Sequence, residues 1–383
     1  MTPAAPPLNI AFDCTWALSP RTGVGTFAAA VLDRLAARPE LSMSGYALSG
    51  SQTPLVGPAI GDRVPVCHRS RLLSSRWTRA AWRRWDLPPI EWVTGTIDVV
   101  HAPNVISPPT RRAAEVVTVH DLSFVHHPEW CTADTVAWYP TLLARAVARG
   151  AWIHTVSDFV RQEVIATYGA SADRVVAIPN ASDPLPPTEP GSGRQLAGGG
   201  HYILAMGTLE PRKNLERVVA AFDQVAAQDD DLRLVIAGGD GWGAESVRSA
   251  ISSAHHRDRI VTVGWVDTPV RAALLREATV LAYPSLYEGF GIPPLEAMGV
   301  GTPVVTSRQG ALVETCGDAA EFVDAHDVDD IAQGLWRVLG NEARRQGLIE
   351  AGHRRAGQFS WDATTERLVA LYGTAARGVE GRR

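Results

Sequence analysis

Short, mostly apolar runs recur along this chain. They alternate with stretches in which apolar residues return every third or fourth position. Leu8–Phe12, Ile97–His101, Val116–His120 and Trp152–Val156 are of the first kind. Runs of this length with few polar breaks predict parallel strands buried on both faces. Gly25–Ala36 is of the second kind, with Phe27, Val31 and Leu35 four apart, as are Tyr139–Arg149 and Asp158–Tyr168. These predict helices, the last with Ser157 and Asp158 as candidate N-caps. The second half repeats the alternation. Strands are predicted at Tyr202–Gly207, Leu232–Ala237, Ile260–Gly264, Thr279–Tyr283 and Pro303–Thr306, and helices at Asn214–Ala227, Ala244–His255, Pro269–Glu277 and Pro293–Val300. A last amphipathic helix spans Trp361–Arg377, with Thr364, Leu368, Leu371 and Tyr372 as its inner face.

Between the halves the pattern breaks. Asp183–Pro190 is proline-rich and Gly191–Gly200 is glycine-rich. Such a stretch is poor helix and poor strand, and reads as an interdomain linker. Repeated βα units on either side predict an α/β fold of two Rossmann-like domains facing a central cleft, residues 1–190 and 201–358. Ligands of open α/β sheets bind beyond the carboxyl ends of the strands, so the residues following each strand are the ones to inspect.

A length of 383 residues fits two such domains. The net charge of −5 disfavours a globally basic nucleic-acid binder. No apolar run approaches the ~20 residues of a membrane span. Met1–Pro7 carries neither the basic nor the apolar region of a signal peptide. Cys14, Cys67, Cys131 and Cys316 are far apart with no CxxC, which argues against a zinc knuckle or a disulfide scaffold and for a reducing, cytoplasmic compartment. Lysine and arginine total 36, yet Lys213 is the only lysine.

Several motifs are missing. There is no GxxxxGK[ST], no GxGxxG after a strand, no HExxH and no GxSxG at a strand end. The most informative segment is Tyr283–Val305, YPSLYEGFGIPPLEAMGVGTPVV. Glu288 lies in a loop after a strand. Gly289, Phe290 and Gly291 lead into a helix whose first turn tolerates Pro293 and Pro294, because those amides lack helical partners. A glycine-flanked helix start suits phosphate or sugar oxygens. Glu296 follows one turn into the helix. Read alone, Glu288 is equally compatible with a capped loop bearing a surface carboxylate.

The pair Glu288 and Glu296 resembles the E-x7-E motif of glycosyltransferase family 4. Four other segments extend the resemblance in order: Gly23–Phe27 (GVGTF), Val117–Asp121 (VTVHD), Gly207–Asn214 (GTLEPRKN) and Phe359–Trp361 (FSW). The resemblance implies a GT-B fold, with residues 359–383 crossing back to the N-terminal domain. It also implies retaining transfer from a nucleotide-diphosphate sugar to a glycan or lipid-linked acceptor, with the leaving phosphate taking the acceptor proton.

Carried over by position, Lys213 and Arg212 bind the donor diphosphate, and Gly23 and Gly25 let the backbone approach it with φ > 0. Glu288, with Gly289, Phe290 and Gly291, binds the sugar, and Glu296 holds the ribose hydroxyls. His120 sits near the anomeric carbon. His120, Glu288 and Lys213 are thus the expected catalytic residues. Thr208 stands where some members carry an arginine, which shifts weight onto Arg212. No cofactor or metal is expected if the cations and helix N-termini neutralise the diphosphate. The whole is most similar to mannosyltransferase-like members, making GDP-mannose the first expected donor. A UDP-sugar-dependent enzyme, a non-catalytic nucleotide- or sugar-binding module and a phosphorylase-type enzyme are the alternatives.

Arg63–Trp85 is a separate feature. Arg69, Arg71, Arg76, Arg79, Arg83 and Arg84 interleave with Leu72, Leu73, Trp77, Trp82 and Trp85. A cationic face with interfacial tryptophans suits peripheral contact with an anionic membrane; an arginine-rich helix packed by its tryptophans suits the same pattern.

Overall fold

The computed structural model describes residues 6–18, 23–47, 67–69 and 75–380, with the side chains of 67–69, 75, 76, 79, 379 and 380 left aside. Thirteen strands are found among them: β1 (Leu8–Asp13), β2 (Leu41–Ala47), β3 (Cys67–Arg69), β4 (Val99–Ala102), β5 (Ala114–Val119), β6 (Trp152–Thr155), β7 (Val175–Ala177), β8 (Tyr202–Met206), β9 (Arg233–Ala237), β10 (Ile260–Gly264), β11 (Val280–Tyr283), β12 (Val304–Ser307) and β13 (Glu321–Val323). They form two sheets, ordered β3-β2-β1-β4-β5-β6-β7 and β10-β9-β8-β11-β12-β13. Every pairing is parallel. Counted from its own first strand, the second sheet runs 3-2-1-4-5-6, the doubly wound Rossmann order, and the first runs the same with a seventh strand added at the edge.

The chain divides into two compact units, Met1–Asn180 with Trp361–Arg383, and Ala181–Ser360. In the C-terminal unit, strand alternation feeds two cores. Ile203, Ala205, Leu234 and Ile236 pack with Phe222 and Leu335 on one face. Tyr202, Leu204, Met206 and Val235 pack with Leu274 and Leu281 on the other. Sequence neighbours thus bury on opposite faces, as a strand's two-residue period requires. In the N-terminal unit every residue of β4 and β5 is buried.

The stretch expected to be a linker differs from its sequence reading. Leu185 is buried, and Arg276 donates to the Leu185 carbonyl at 2.7 Å and the Pro186 carbonyl at 3.2 Å. Glu277 accepts from the Gly191 and Arg194 amides at 2.6 and 2.8 Å, and Ser192–Leu196 forms a short helix. Side-chain acceptors and donors supply what the backbone pattern lacks, so residues 183–200 belong to the C-terminal unit and the boundary falls at Asn180/Ala181.

The helix Trp361–Glu380 packs on the helix Gly23–Ala36 and on β5. Thr364, Leu368, Leu371 and Tyr372 are all buried there. Thr364 Oγ1 donates to the Pro179 carbonyl at 2.8 Å, and Arg34 pairs with Asp362 at 2.9 Å. Helix Asp158–Tyr168 starts with the Ser157 side chain accepting from Val160 N–H, as expected, and ends on left-handed Gly169.

Candidate active site

In the C-terminal unit the strand order reverses between β8 and β11. Both strands end in chemistry-bearing segments. Beyond β8, Pro211–Lys213 makes a single 3-10 turn, so Lys213 stands two residues before the helix Leu215–Ala226 instead of opening it. Asn214 separates the two with φ 61°, a left-handed conformation that asparagine tolerates. Its amide donates to the Pro284 and Ala325 carbonyls at 3.0 and 2.7 Å. Leu286 N–H donates to the Arg212 carbonyl at 2.8 Å. The turn carrying the cations is therefore stapled to the loop carrying Glu288. Gly207, at φ 144°, lies against the Lys213 stem; a Cβ there would stand 3.1 Å from Lys213 Cε. A side chain there is strained at this φ and shifts the lysine stem by a few tenths of an ångström.

Lys213, Arg212 and Glu288 come together. Glu288 Oε1 lies 2.5 Å from Lys213 Nζ, and Oε2 lies 2.8 Å from Arg212 Nη1. Two residues that sequence reasoning missed complete the cluster. Glu210 pairs with Arg212 Nε at 2.7 Å. The Tyr283 hydroxyl accepts from Lys213 at 2.6 Å and donates to Glu288 Oε1 at 2.8 Å. Glu210, Lys213, Tyr283 and Glu288 are all buried. Burial pushes the Glu288 carboxyl up, but Arg212 and Lys213 outweigh it and hold the group at about 2. Burial, then Arg212, pull the lysine below its ordinary value against the two carboxylates. The signal for Tyr283 was a tyrosine closing an aliphatic strand, whose hydroxyl needs a partner once buried.

Gly291 N-caps the helix Ile292–Gly299 at φ 106°, and a Cβ there would clash with Leu312 at 2.9 Å. Phe290 is buried with its ring edge-on to Phe359, and Gly289 adjoins it in the same loop. Glu296 sits in the helix and is buried, as is Glu288, which is therefore not the surface carboxylate of the plainer reading. Arg271 Nη2 lies 3.3 Å from it. Burial raises Glu296 to about 7, against Arg271 and with help from Asp183. Arg271 lies 25 positions upstream, and nothing in its local pattern announces the pairing.

In the N-terminal unit His120 follows β5. Its Nε2 donates to the Pro103 carbonyl at 2.9 Å, which leaves Nδ1 as an acceptor. Burial holds its pKa below the ordinary value. Gly23 and Gly25 fall in the first turn of the helix Gly23–Ala36, not in a positive-φ loop. This corrects the expected φ > 0: the turn offers helical amides instead. A cavity of about 700 Å³ in this unit, lined by Arg111, Arg112, Glu115, Arg149, Trp152 and Arg174 among others, contains none of the predicted site residues. It lies at the amino ends of β5 and β6, the edge away from His120.

Two Rossmann-like sheets, with cations and carboxylates gathered at one switch point, place a charged cluster where ligands of open α/β sheets bind. The family described as Glycosyl transferases group 1 matches residues 193–355, and that described as Glycosyltransferase Family 4 matches residues 21–184. The O-antigen chain mannosyltransferase B of Escherichia coli is 35% identical over 283 residues, 72% of this chain and 74% of that protein. Among solved structures, the sucrose-phosphate synthase of Thermosynechococcus elongatus superposes with a TM-score of 0.75 at 18% identity, covering 96% of this chain and 98% of that one. HepE of Anabaena, in complex with UDP and glucose, superposes with a TM-score of 0.72 at 15% identity, covering 96% and 99%. The chain belongs to glycosyltransferase family 4. It is a nucleotide-sugar-dependent glycosyltransferase of the GT-B fold.

Proposed function

We propose that the chain is a retaining hexosyltransferase that moves mannose from GDP-mannose to a glycan or lipid-linked acceptor in the cytoplasm, without a metal ion or other cofactor. The observation that carries this reading is the buried cluster of Lys213, Arg212 and Glu288 at the β8/β11 switch point. Lys213 and Arg212 take the donor diphosphate. Glu288 accepts from sugar hydroxyls, and Glu296 accepts from the ribose. His120 Nδ1 accepts from the sugar near the anomeric carbon. The acceptor oxygen bonds to the anomeric carbon as the carbon–phosphate-oxygen bond breaks, and the acceptor's proton passes to the leaving phosphate. Two cations counterbalanced by Glu210 and Glu288 meet that developing charge, which is why no metal is invoked.

Mannose is favoured because the Escherichia coli relative is named a mannosyltransferase. A UDP sugar is the second donor to try, since HepE was solved with UDP and glucose.

Lys213→Ala is expected to cut transfer by roughly 10²–10³, with Lys213→Arg rescuing it in part, because a guanidinium is larger and prefers a two-pronged approach. Glu288 keeps Arg212 and Tyr283 in the alanine variant, so the fold survives. Amine-directed acylation can reach only Lys213 and the N-terminus, and nucleotide is expected to protect Lys213 alone. Equal labelling with GDP, UDP or ADP present and absent removes the cation from the donor site. Full turnover in EDTA is the matching expectation for the metal.

Peripheral contact with an anionic membrane is the remaining part of the reading. Of the Arg63–Trp85 segment, residues 63–66 and 70–74 lie outside the described residues. In the helix Ser75–Trp85, Trp82 is buried and donates to the Pro88 carbonyl at 2.9 Å, while Trp77 and Trp85 are 79% and 67% exposed. Leu87 and Trp92 are exposed close by in sequence. One tryptophan packs the helix and two face outward beside Arg83 and Arg84. Binding to anionic liposomes that falls steeply with salt is expected, each basic residue contributing about 1 kcal/mol. Indifference to such vesicles at low salt defeats it.

A further inference from the structure

Tyr283 closes β11, a strand paired on both sides, with β8 and β12. Its carbonyl accepts from Thr306 Oγ1 at 2.9 Å. Of the side chains in the charge cluster, it alone is mounted on a strand; Glu210, Arg212 and Lys213 ride on the segment after β8, and Glu288 on the loop after β11.

The hydroxyl forms a closed triangle with two charged atoms. It lies 2.6 Å from Lys213 Nζ and 2.8 Å from Glu288 Oε1, which are themselves 2.5 Å apart. An ammonium has only protons to give and a carboxylate oxygen only lone pairs. The hydroxyl is therefore forced to accept from the lysine and donate to the glutamate. Burial raises the phenol well above its ordinary value, so it keeps the proton it must donate. The Lys213 ammonium also stands 4.9 Å from the centre of the tyrosine ring, within cation–π range.

In the free protein, Lys213 and Arg212 are both engaged with Glu288, the carboxylate assigned to the sugar. A diphosphate draws the ammonium away from Oε1. The carboxylate then keeps one donor on each oxygen, Tyr283 on Oε1 and Arg212 on Oε2, and retains lone pairs for sugar hydroxyls. We propose that Tyr283 is a positioning residue whose hydroxyl holds the Lys213 ammonium and the Glu288 carboxylate in register while the ammonium passes from Glu288 to the donor diphosphate. The proposal rests on the donor-site reading above.

Tyr283→Phe tests it, because the ring, its packing and its face toward Lys213 remain. As the chain has one lysine, the pH dependence of acylation reports Lys213 directly in the free protein, with the N-terminal amine as internal reference. The groups facing that ammonium are Arg212, Glu210, Glu288 and Tyr283, and only the last is altered. Loss of an acceptor is expected to lower the midpoint by about one unit, a roughly tenfold faster labelling at fixed pH below it. kcat is expected to fall about tenfold, with KM for the donor within about threefold, the pattern of an interaction strengthened after binding. Thr306→Val, which loses the bond to the Tyr283 carbonyl and leaves the triangle, is expected to lower stability without moving the lysine midpoint. A Lys213 midpoint that ignores Tyr283→Phe overturns the proposal, as does an unchanged kcat. Failure of every nucleotide to protect Lys213 in the wild-type protein defeats the donor-site reading instead, and the lysine midpoint distinguishes the two.

Discussion

Both units bury polar groups in a parallel sheet, but they do so in opposite ways. Apart from Asp13 and the Glu115 carboxylate paired with Arg149, the N-terminal unit buries neutral ones. His154 Nε2 donates to the Ile178 carbonyl at 2.9 Å, and its Nδ1 accepts from Thr118 Oγ1 at 2.9 Å. Thr118 accepts from His101 Nε2 at 2.8 Å, and His101 Nδ1 accepts from the Tyr372 hydroxyl at 2.5 Å. Because the carbonyl at one end can only accept, every tautomer along the chain is fixed, and no link needs a charge. The C-terminal unit buries charges: Lys213, Glu288 and Glu210 at full or near-full burial, with Arg212 bridging the carboxylates. A neutral hydrogen-bonded chain binds a helix to a sheet and asks for nothing more. A buried charge cluster is a weaker source of stability, since desolvation offsets attraction. Its persistence at the switch point fits a site whose charges are exchanged with a ligand.

Glu288→Gln breaks the charged side of this comparison most sharply. The amide accepts fewer hydrogen bonds and turns a donor toward Lys213 or Arg212. kcat is expected to fall on the order of 10²-fold, with nucleotide affinity less affected, since the carboxylate faces the sugar. Steady-state kinetics beside nucleotide titration separates the two effects. Unchanged turnover in a folded variant means the cluster is structural, and the contrast between the units loses its functional meaning.

The charged side was also the more legible in sequence. Lys213 stands out as the sole lysine and Glu288 precedes a Gly-Phe-Gly turn after a strand, and the resemblance to glycosyltransferase family 4 turned both into site residues. The strands β4, β5, β8, β9 and β11 announced themselves as apolar runs. β2 did not: Leu41–Ala47 places Ser42, Ser44 and Gly45 among its apolar residues, and only its pairing with β1 makes it a strand. Helix Ala133–Ala148 starts six residues before its predicted beginning, at a Thr132 cap, and runs through Pro140. A proline inside a helix is a stop signal locally, overridden here by tertiary context. The neutral chain was invisible for a related reason. His101, Thr118, His154 and Tyr372 lie on four separate elements, and no spacing links them. Glu210 and Arg271 were missed because a carboxylate's partner is set by how loops meet, not by distance along the chain.

Tyr372→Phe probes the neutral side. It removes the donor to His101 Nδ1 and leaves that buried acceptor unpaired, at a cost of about 1–2 kcal/mol. The loss is expected in the N-terminal unit alone, as faster hydrogen exchange in the helix Trp361–Glu380 and in β4. Nucleotide affinity of the C-terminal unit is expected to hold. Weakened exchange protection around Lys213 and Glu288 instead contradicts the separation of the two polar systems.

The smallest effect is the most direct comparison, because the two units are expected to respond to pH with opposite signs. Burial, reinforced by His120 and Arg367, pulls His154 down to about 3, far below an unfolded value near 6.5. A histidine with a depressed folded pKa contributes stability above its unfolded value and loses it as pH falls toward the folded one. The N-terminal unit is thus expected to weaken as pH drops below about 6.5. Glu296 is the reverse case. Burial raises it to about 7 against an ordinary 4.5, so the folded unit holds a proton that the unfolded chain has lost. Its contribution is complete below about 4.5 and disappears as pH rises through 7. Glu288, held at about 2, is constant across this window and changes only in stronger acid. Between roughly pH 4.5 and 6.5, the depressed His101, His120 and His154, offset in part by the raised Glu115, therefore pull the N-terminal unit one way and Glu296 pulls the C-terminal unit the other, each group by at most about 1.4 kcal/mol per pH unit. Hydrogen exchange resolved by peptide, corrected for intrinsic rates, can follow β4 to β6 and β8 to β11 separately. Protection is expected to rise with pH in the first set and fall in the second, with Glu296→Gln flattening only the second. Parallel rises in both sets mean that Glu296 titrates as an exposed carboxylate, and the buried diol-binding role assigned to it fails with that result.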